Sequence, residues 1–263
     1  MTQSLFDLTG KNAIVTGGNG GIGRGIAEGL ATAGANIAIW ARNDQKAHDA
    51  LDSLRDKGVT AKFYSVDVTR AQEREQAMTA TLEDFGGVDI LVANAGVNIR
   101  KRPENLSETE WNFTQDVNVT SVFETCKLLY PHMKARGGGK IITIGSMTTI
   151  FGLGISPAYA ASKAAIVQLS KSLAVAWGQD DIQVNSLLPG WIATEMTEQS
   201  RGIPGLSEMV LARTPAGRWG NPSDLAGAAV FLASEASDFV TGTAIPIDGG
   251  FASTLFIVDA PGE

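Results

Sequence analysis

Apolar residues follow two rhythms along this chain. Short stretches rich in apolar residues occur at 12–16 (NAIVT), 35–40 (ANIAIW), 61–65 (AKFYS), 88–93 (VDILVA), 140–145 (KIITIG), 182–188 (IQVNSLL) and 243–247 (TAIPI). Between them lie longer segments with a helical rhythm. The first is 21–33, whose Ile22, Ile26 and Leu30 share a face. A polar helix ending near Lys57 follows, then 70–85, 107–130, 157–177 and 222–233. Ser107 and Glu110 form a capping-box signature where 107–130 begins. Strands that are apolar throughout belong in a sheet covered on both faces. The repeated strand–helix order predicts an α/β fold: one doubly wound domain over 1–263, with a mostly parallel seven-stranded sheet and helices on both faces. The stretch 190–220, rich in Gly, Pro and polar residues, is long for a connection and reads as a lid over a site.

Charge and composition narrow the class of partner. The chain of 263 residues carries a formal charge of −7. That balance argues against nucleic acid or an anionic membrane as the main partner and leaves a small-molecule substrate. The single cysteine, Cys126 in VFETCKLLY, permits no intrachain disulfide and reads as a small buried hydrophobe. The first residues lack the basic and apolar regions of a signal peptide, and no run of about 18 apolar residues exists. The reading is a soluble, cytoplasmic protein with no metal in its chemistry.

The first strand runs into TGGNGGIGRG, residues 16–25, which opens the first helix. Glycines let a backbone turn tightly and approach a pyrophosphate, whose charge is favoured at a helix N-terminus. Two registers fit: Gly18, Gly20 and Gly23 as G-x-G-x-x-G, or Gly17, Gly21 and Gly23 as T-G-x-x-x-G-x-G. Either predicts a dinucleotide and a Rossmann-type domain. The second strand ends Trp40-Ala41-Arg42-Asn43, without the acid that binds a ribose diol. Arg42 suits a 2′-phosphate, while Asp44 is a diol candidate, so NADP(H) is read ahead of NAD(H). Asp67, in SVDVT, could take the adenine amino group or serve as a plain Asx turn.

Within PAYAASKAA, residues 157–165, Tyr159 and Lys163 stand four apart and so share a helix face. With the glycine loop, the pair Gly145–Ser146 and YAASK together, the chain resembles the short-chain dehydrogenase/reductase family over nearly its whole length. The second glycine register is that family's pattern. ANAG at 93–96 resembles its N-N-A-G, with Ala93 in place of the first Asn. PGWIAT at 189–194 resembles its P-G motif, and NVT places Asn118 at its helix-borne Asn.

The resemblance implies a catalytic tetrad of Asn118, Ser146, Tyr159 and Lys163. A free phenol ionises near pH ~10, and bringing it to neutrality takes about 4 kcal/mol of preferential stabilisation of the phenolate. Lys163 and the positive ring of an oxidised nicotinamide are expected to supply it. Lys163 is also expected to bind the nicotinamide ribose, Ser146 to hydrogen-bond the substrate oxygen, and Asn118 to hold a water on the proton route behind Lys163. Cofactor contacts are expected from Gly17, Asn19, Gly21, Ile22, Gly23, Arg42, Asp67, Val68, Asn94, Ala95 and Gly96. Tyr159, Lys163, Pro189, Gly190, Ile192 and Thr194 complete that set. The family also implies a homotetramer, with helix 157–177 and the helix before the fifth strand packing across a two-fold.

Substrate walls are expected from the loops after strands four, five and six. The first of these contains Arg100, Lys101 and Arg102 in a row. A solvated charge run or a carboxylate site would both look like this. The candidate substrate residues are Arg100, Arg102, Ser146, Thr148 and Trp191, with Arg100 favoured for a carboxylate. NAGVNIRKRP, PAYAASK and TPAGRWGNPSDLAG resemble most closely the family's sugar-acid branch, the gluconate 5-dehydrogenase-like enzymes. The implied reaction is NADP(H)-dependent interconversion of a secondary alcohol and a ketone. A 3-oxoacyl thioester reductase and a non-catalytic NADP(H)-binding regulator are the alternatives.

Overall fold

The structure is a computed structural model that describes residues 4–255. The end of the 1–263 span, residues 256–263, lies outside them. Seven strands, β1 (Asn12–Thr16), β2 (Asn36–Ala41), β3 (Ala61–Ser65), β4 (Ile90–Ala93), β5 (Gly139–Ile144), β6 (Ile182–Pro189) and β7 (Ala244–Ile247), form one sheet in the order 3-2-1-4-5-6-7. Every neighbouring pair is parallel, β7 included. The helices are α1 (Gly21–Thr32), α2 (Asp44–Arg55), α3 (Ala71–Phe85), α4 (Glu108–Gln115), α5 (Ser121–Ala135), α6 (Pro157–Trp177), α7 (Glu195–Arg201), α8 (Leu206–Leu211) and α9 (Ala226–Ala233).

Alternation along the strands builds two cores. Ala13 and Val15 of β1 pack on one side with Ile26 and Leu30 of α1 and Leu232 of α9. Ile14 and Trp40 join the opposite core with Leu129 and Met133 of α5 and Ile166 of α6. Each such aliphatic side chain contributes roughly 2 kcal/mol by leaving water. Cys126 lies fully buried in the second core, and burial pushes its thiol up to about 12. It is the small hydrophobe its surroundings predict.

The strand order reverses between β1 and β4, so connections leave in opposite directions and open a crevice beyond the carboxyl ends. Three boundaries differ from the sequence pattern. The segment 107–130 is not one helix: α4 gives way to a π-helical turn, Asp116–Thr120, in which the Ser121 N–H reaches back to the Asp116 carbonyl, before α5 continues past Pro131. The Ser107–Glu110 capping box does start α4. Residues 190–220 contain the two short helices α7 and α8. The last helix begins as a 3-10 turn, Pro222–Leu225. No helix of the described residues is long and apolar enough to cross a membrane.

Candidate active site

The start of α1 is open to an anion. Gly20 precedes it with no capping side chain, and no acid stands in its first turn, so the first N–H groups have no protein partner of that kind. Gly17 and Gly21 take positive φ, 65° and 50°. A Cβ on Gly23 would lie 2.3 Å from the Gly17 carbonyl oxygen and 2.4 Å from Asn94 Nδ2. Gly20 is extended and faces open space. The backbone thus requires glycine at 17, 21 and 23, the second of the two registers. Ile22 turns into the core beneath the loop.

Asn94 fastens the glycine loop to the end of β4. Its Nδ2 donates to the Thr16 carbonyl at 2.9 Å, and Thr16 Oγ1 accepts from the N–H groups of Asn94 (3.0 Å) and Ala95 (2.9 Å). The loop after β6 closes over the same place. A Cβ on Gly21 would stand 3.5 Å from Thr194 Cγ2. That loop is itself anchored: the Gly190 N–H donates to the Ile247 carbonyl at 3.0 Å, Ile192 bridges to Gly220, and the Thr194 N–H donates to Thr197 Oγ1 at 3.0 Å. Pro189, which ends β6, is buried.

At the far end of the crevice, Arg42 is exposed just beyond β2 and makes no ion pair among the described residues. Asn19 Nδ2 donates to the Asn43 carbonyl at 2.9 Å, and Asn43 caps α2. Asp67 Oδ1 accepts from the Thr69 N–H (3.0 Å) and hydroxyl (2.7 Å). Burial opposes the Asp67 carboxylate, but those two hydrogen bonds and the charges of Arg42 and Arg70 outweigh it and hold the group below its ordinary range. The Asx turn therefore uses Oδ1, with Val68 buried behind it.

Ser146, Tyr159 and Lys163 converge where β5 meets α6. The Ser146 hydroxyl oxygen accepts from the Thr148 N–H at 3.1 Å, which leaves its proton free to donate. The half-buried Tyr159 phenol stands beside it. Burial raises the phenol above its ordinary value, while the Ser146 hydroxyl and the Arg100 charge act in the opposite direction. Lys163 Nζ lies 5.6 Å from the centre of the Tyr159 ring and donates to the Ile144 carbonyl at 2.7 Å. Burial, to 5% exposure, lowers its ammonium to about 8. Gly96 makes room: a Cβ there would stand 3.2 Å from Asn118 Oδ1 and 3.5 Å from Lys163 Nζ.

Asn118 lies buried on the π-helical turn, on the Lys163 side of the loop after β4. Its Oδ1 accepts from the Val97 N–H at 2.8 Å, and its Nδ2 donates to the Val97 carbonyl and to Ser162 Oγ, both at 2.9 Å. Ser162 in turn donates to the Tyr159 carbonyl at 2.7 Å. The side-chain amide is thus engaged by protein groups on both its oxygen and its nitrogen. It braces the loop after β4 against the turn of α6 that carries the phenol.

Ser146 and Tyr159 open into a cavity of about 370 Å³. Its walls include Thr148 and Trp191 as expected, and Arg100, whose Nη2 donates to the Met196 carbonyl at 2.9 Å. The other two cations of that run do not line it. Lys101 pairs with Glu110, and the exposed Arg102 pairs with Glu104 at 2.6 Å, so Arg102 is a surface residue. Asn98 and Phe151, from the expected loops after β4 and β5, also line the cavity, as do Arg213 and Phe251, which sequence reasoning did not single out. Arg213 stands 4.5 Å from the centre of the Phe251 ring and 5.4 Å from that of Phe151. No carboxylate is among the lining residues.

A doubly wound sheet with a bare glycine loop at its switch point and a hydroxyl–phenol–ammonium cluster beside it defines a dinucleotide-dependent enzyme fold. The comparisons place it further. A family model described as enoyl-(acyl carrier protein) reductase matches residues 17–252. Gluconate 5-dehydrogenase of Gluconobacter oxydans is 39% identical over 95% of this chain and 98% of its own. 5-Keto-D-gluconate 5-reductase of Escherichia coli is 40% identical over 94% and 98%. The crystal structure of a gluconate 5-dehydrogenase from Burkholderia cenocepacia, in complex with NADP and tartrate, is 39% identical and superposes with a TM-score of 0.91 over 95% of this chain and 98% of that one. The chain belongs to the short-chain dehydrogenase/reductase family.

Proposed function

We propose that this protein is an NADP(H)-dependent oxidoreductase that interconverts a secondary alcohol and a ketone on a sugar acid of the ketogluconate kind. One observation carries the reading: Ser146 and Tyr159 open into a single cavity that holds two guanidinium groups and no carboxylate. Such a cavity favours an anionic substrate, and the relatives named above act on gluconate and 5-keto-D-gluconate.

Cofactor binding follows from the glycine cradle. Gly17, Gly21 and Gly23 let the backbone approach a pyrophosphate at the start of α1, Arg42 takes the 2′-phosphate, and Asp67 and Val68 face the adenine end. Asn94 to Gly96, Lys163 and the loop from Pro189 to Thr194 hold the nicotinamide half. The bound nicotinamide supplies or accepts the hydride. The chain's own residues handle the proton. In reduction, Tyr159 gives its phenolic proton to the ketone oxygen as negative charge builds there, and Ser146 donates a second hydrogen bond to that oxygen. In oxidation, the phenolate takes the alcohol proton. Arg100 and Lys163 favour the phenolate, and Asn118 acts as a positioning residue through Val97 and Ser162.

The family expectation of a cytoplasmic homotetramer belongs to this reading. The exposed Phe123 of α5 (38%) and Val175 of α6 (86%) support packing of those helices across a two-fold. A monomeric mass in analytical ultracentrifugation would count against it. A second reading rests on the apolar side of the cavity, where Ile203, Leu206 and Met209 suit an acyl chain. The test is NADPH oxidation with 5-keto-D-gluconate, a 3-oxoacyl thioester and a neutral diketone in parallel. Preference for the keto acid is expected. Preference for the thioester installs the second reading, and no oxidation with any of them removes the enzymatic one.

A further inference from the structure

Arg213 is a cation whose surroundings are otherwise apolar. It follows α8, at the end of the segment that covers the cavity, and it is half-buried. Phe151 and Phe251 flank its guanidinium, as planar cations over rings tend to be. Nη2 donates to the Thr254 carbonyl at 3.3 Å, Nε is buried with no partner, and no ion pair reaches it among the described residues. A buried N–H without an acceptor is costly and calls for a partner. Three other side-chain polar atoms in the same condition, Asn98 Oδ1, Thr148 Oγ1 and Trp191 Nε1, belong to residues lining the same cavity.

Arg100 is placed differently. It lies in the loop after β4, within electrostatic reach of the Tyr159 phenol, and its Nη2 is engaged by Met196. A substrate carboxylate bound there would sit at the reacting end. Arg213 is held by rings that cannot neutralise it, and the cavity wall supplies no acid.

We infer that Arg213, seated between Phe151 and Phe251, is the residue that recognises the carboxylate of the substrate and so selects hydroxy and keto acids over neutral ketones. This rests on the keto-acid reading above. The two rings fix the guanidinium plane, so the fork is oriented before the ligand arrives. Asn98, Thr148 and Trp191 line the same cavity beside it.

The experiment compares kcat/KM for 5-keto-D-gluconate and for its neutral carboxamide, in wild type, Arg213→Gln and Arg213→Lys, each checked for folding by thermal unfolding. Wild type is expected to prefer the acid. In Arg213→Gln the acid-to-amide ratio is expected to fall roughly ten- to a hundredfold. Arg213→Lys keeps the charge without the planar fork and is expected to fall in between. If the Gln variant does not fold, the Lys variant carries the test. An unchanged ratio in a folded variant overturns the role of Arg213 and leaves the keto-acid reading standing. A wild-type enzyme without preference for the acid overturns that reading itself, and the inference with it.

Discussion

Arg100 and Met196 lie 96 residues apart, and the guanidinium Nη2 of the first donates to the main-chain carbonyl of the second at 2.9 Å. This bond joins the loop after β4 to α7, the first helix of the segment covering the cavity. It ties the long connection after β6 to the loop at the end of β4. A hydrogen bond from a charged guanidinium is worth about 1.5–3 kcal/mol. Arg100→Ala is expected to speed amide hydrogen exchange across Glu195–Arg201 and to raise KM for acidic and neutral ketones alike. Unchanged exchange in α7 would show that the bond does not restrain the cover.

The glycine register gives a prediction about stability alone. Gly23→Ala places a methyl 2.3 Å from the Gly17 carbonyl oxygen, a clash with backbone that cannot swing aside. Overpacking of this sort costs about 1–3 kcal/mol. Gly20 is extended with open space around it, so Gly20→Ala is expected to stay within about 0.5 kcal/mol of wild type. Urea unfolding of the cofactor-free protein measures both, and equal losses would contradict the assigned register.

Arg42 is exposed beyond β2 and has no ion-pair partner among the described residues. Losing a charge-assisted contact to a phosphate costs about 1.5–3 kcal/mol, or roughly ten- to a hundredfold in Kd. Arg42→Ala is expected to weaken NADPH by that factor and NADH little, as titration calorimetry would show. Equal losses for the two cofactors would remove the 2′-phosphate role.

Lys163 makes stability depend on pH. Burial lowers its ammonium from 10.5 to about 8. Below pH 8 the amine is charged in both the folded and unfolded protein, and the folded state bears the full cost of burying it. Between about 8 and 10.5 the unfolded chain binds the proton that the folded protein has lost, so this cost shrinks as pH rises. Relative to Lys163→Met, the cofactor-free wild type is therefore expected to gain about 3 kcal/mol between pH 7 and pH 10.5. A stability difference that does not change with pH would contradict the lowered value.

Local spacing made much of this legible. Tyr159 and Lys163 stand one helical turn apart, and the glycines follow a strand directly, so a reader of the chain meets both as short patterns. What the chain could not reveal depended on contacts between distant segments. Two glycine registers fitted the spacing alone; the family resemblance favoured Gly17, Gly21 and Gly23, and the φ angles of Gly17 and Gly21 and the approach of Asn94 agree with it. Arg102 looked like a pocket cation beside Arg100, but a neighbouring Glu104 takes it to the surface. Arg213 carried no local signal because its partners, Phe151 and Phe251, come from two other connections. Asn118 was found by motif, yet its bracing of Val97 and Ser162 depends on a π-helical turn that periodicity reads as ordinary helix.

In the proposed ketone–alcohol interconversion the Tyr159 phenol moves the proton. The most direct measurement is the rate of NADPH oxidation with 5-keto-D-gluconate by Tyr159→Phe, alongside NADPH affinity by titration. Phenylalanine keeps the ring and removes the acid, so kcat is expected to fall by roughly 10²–10⁴ while NADPH still binds. A Tyr159→Phe protein that turns over at the wild-type rate would contradict the account.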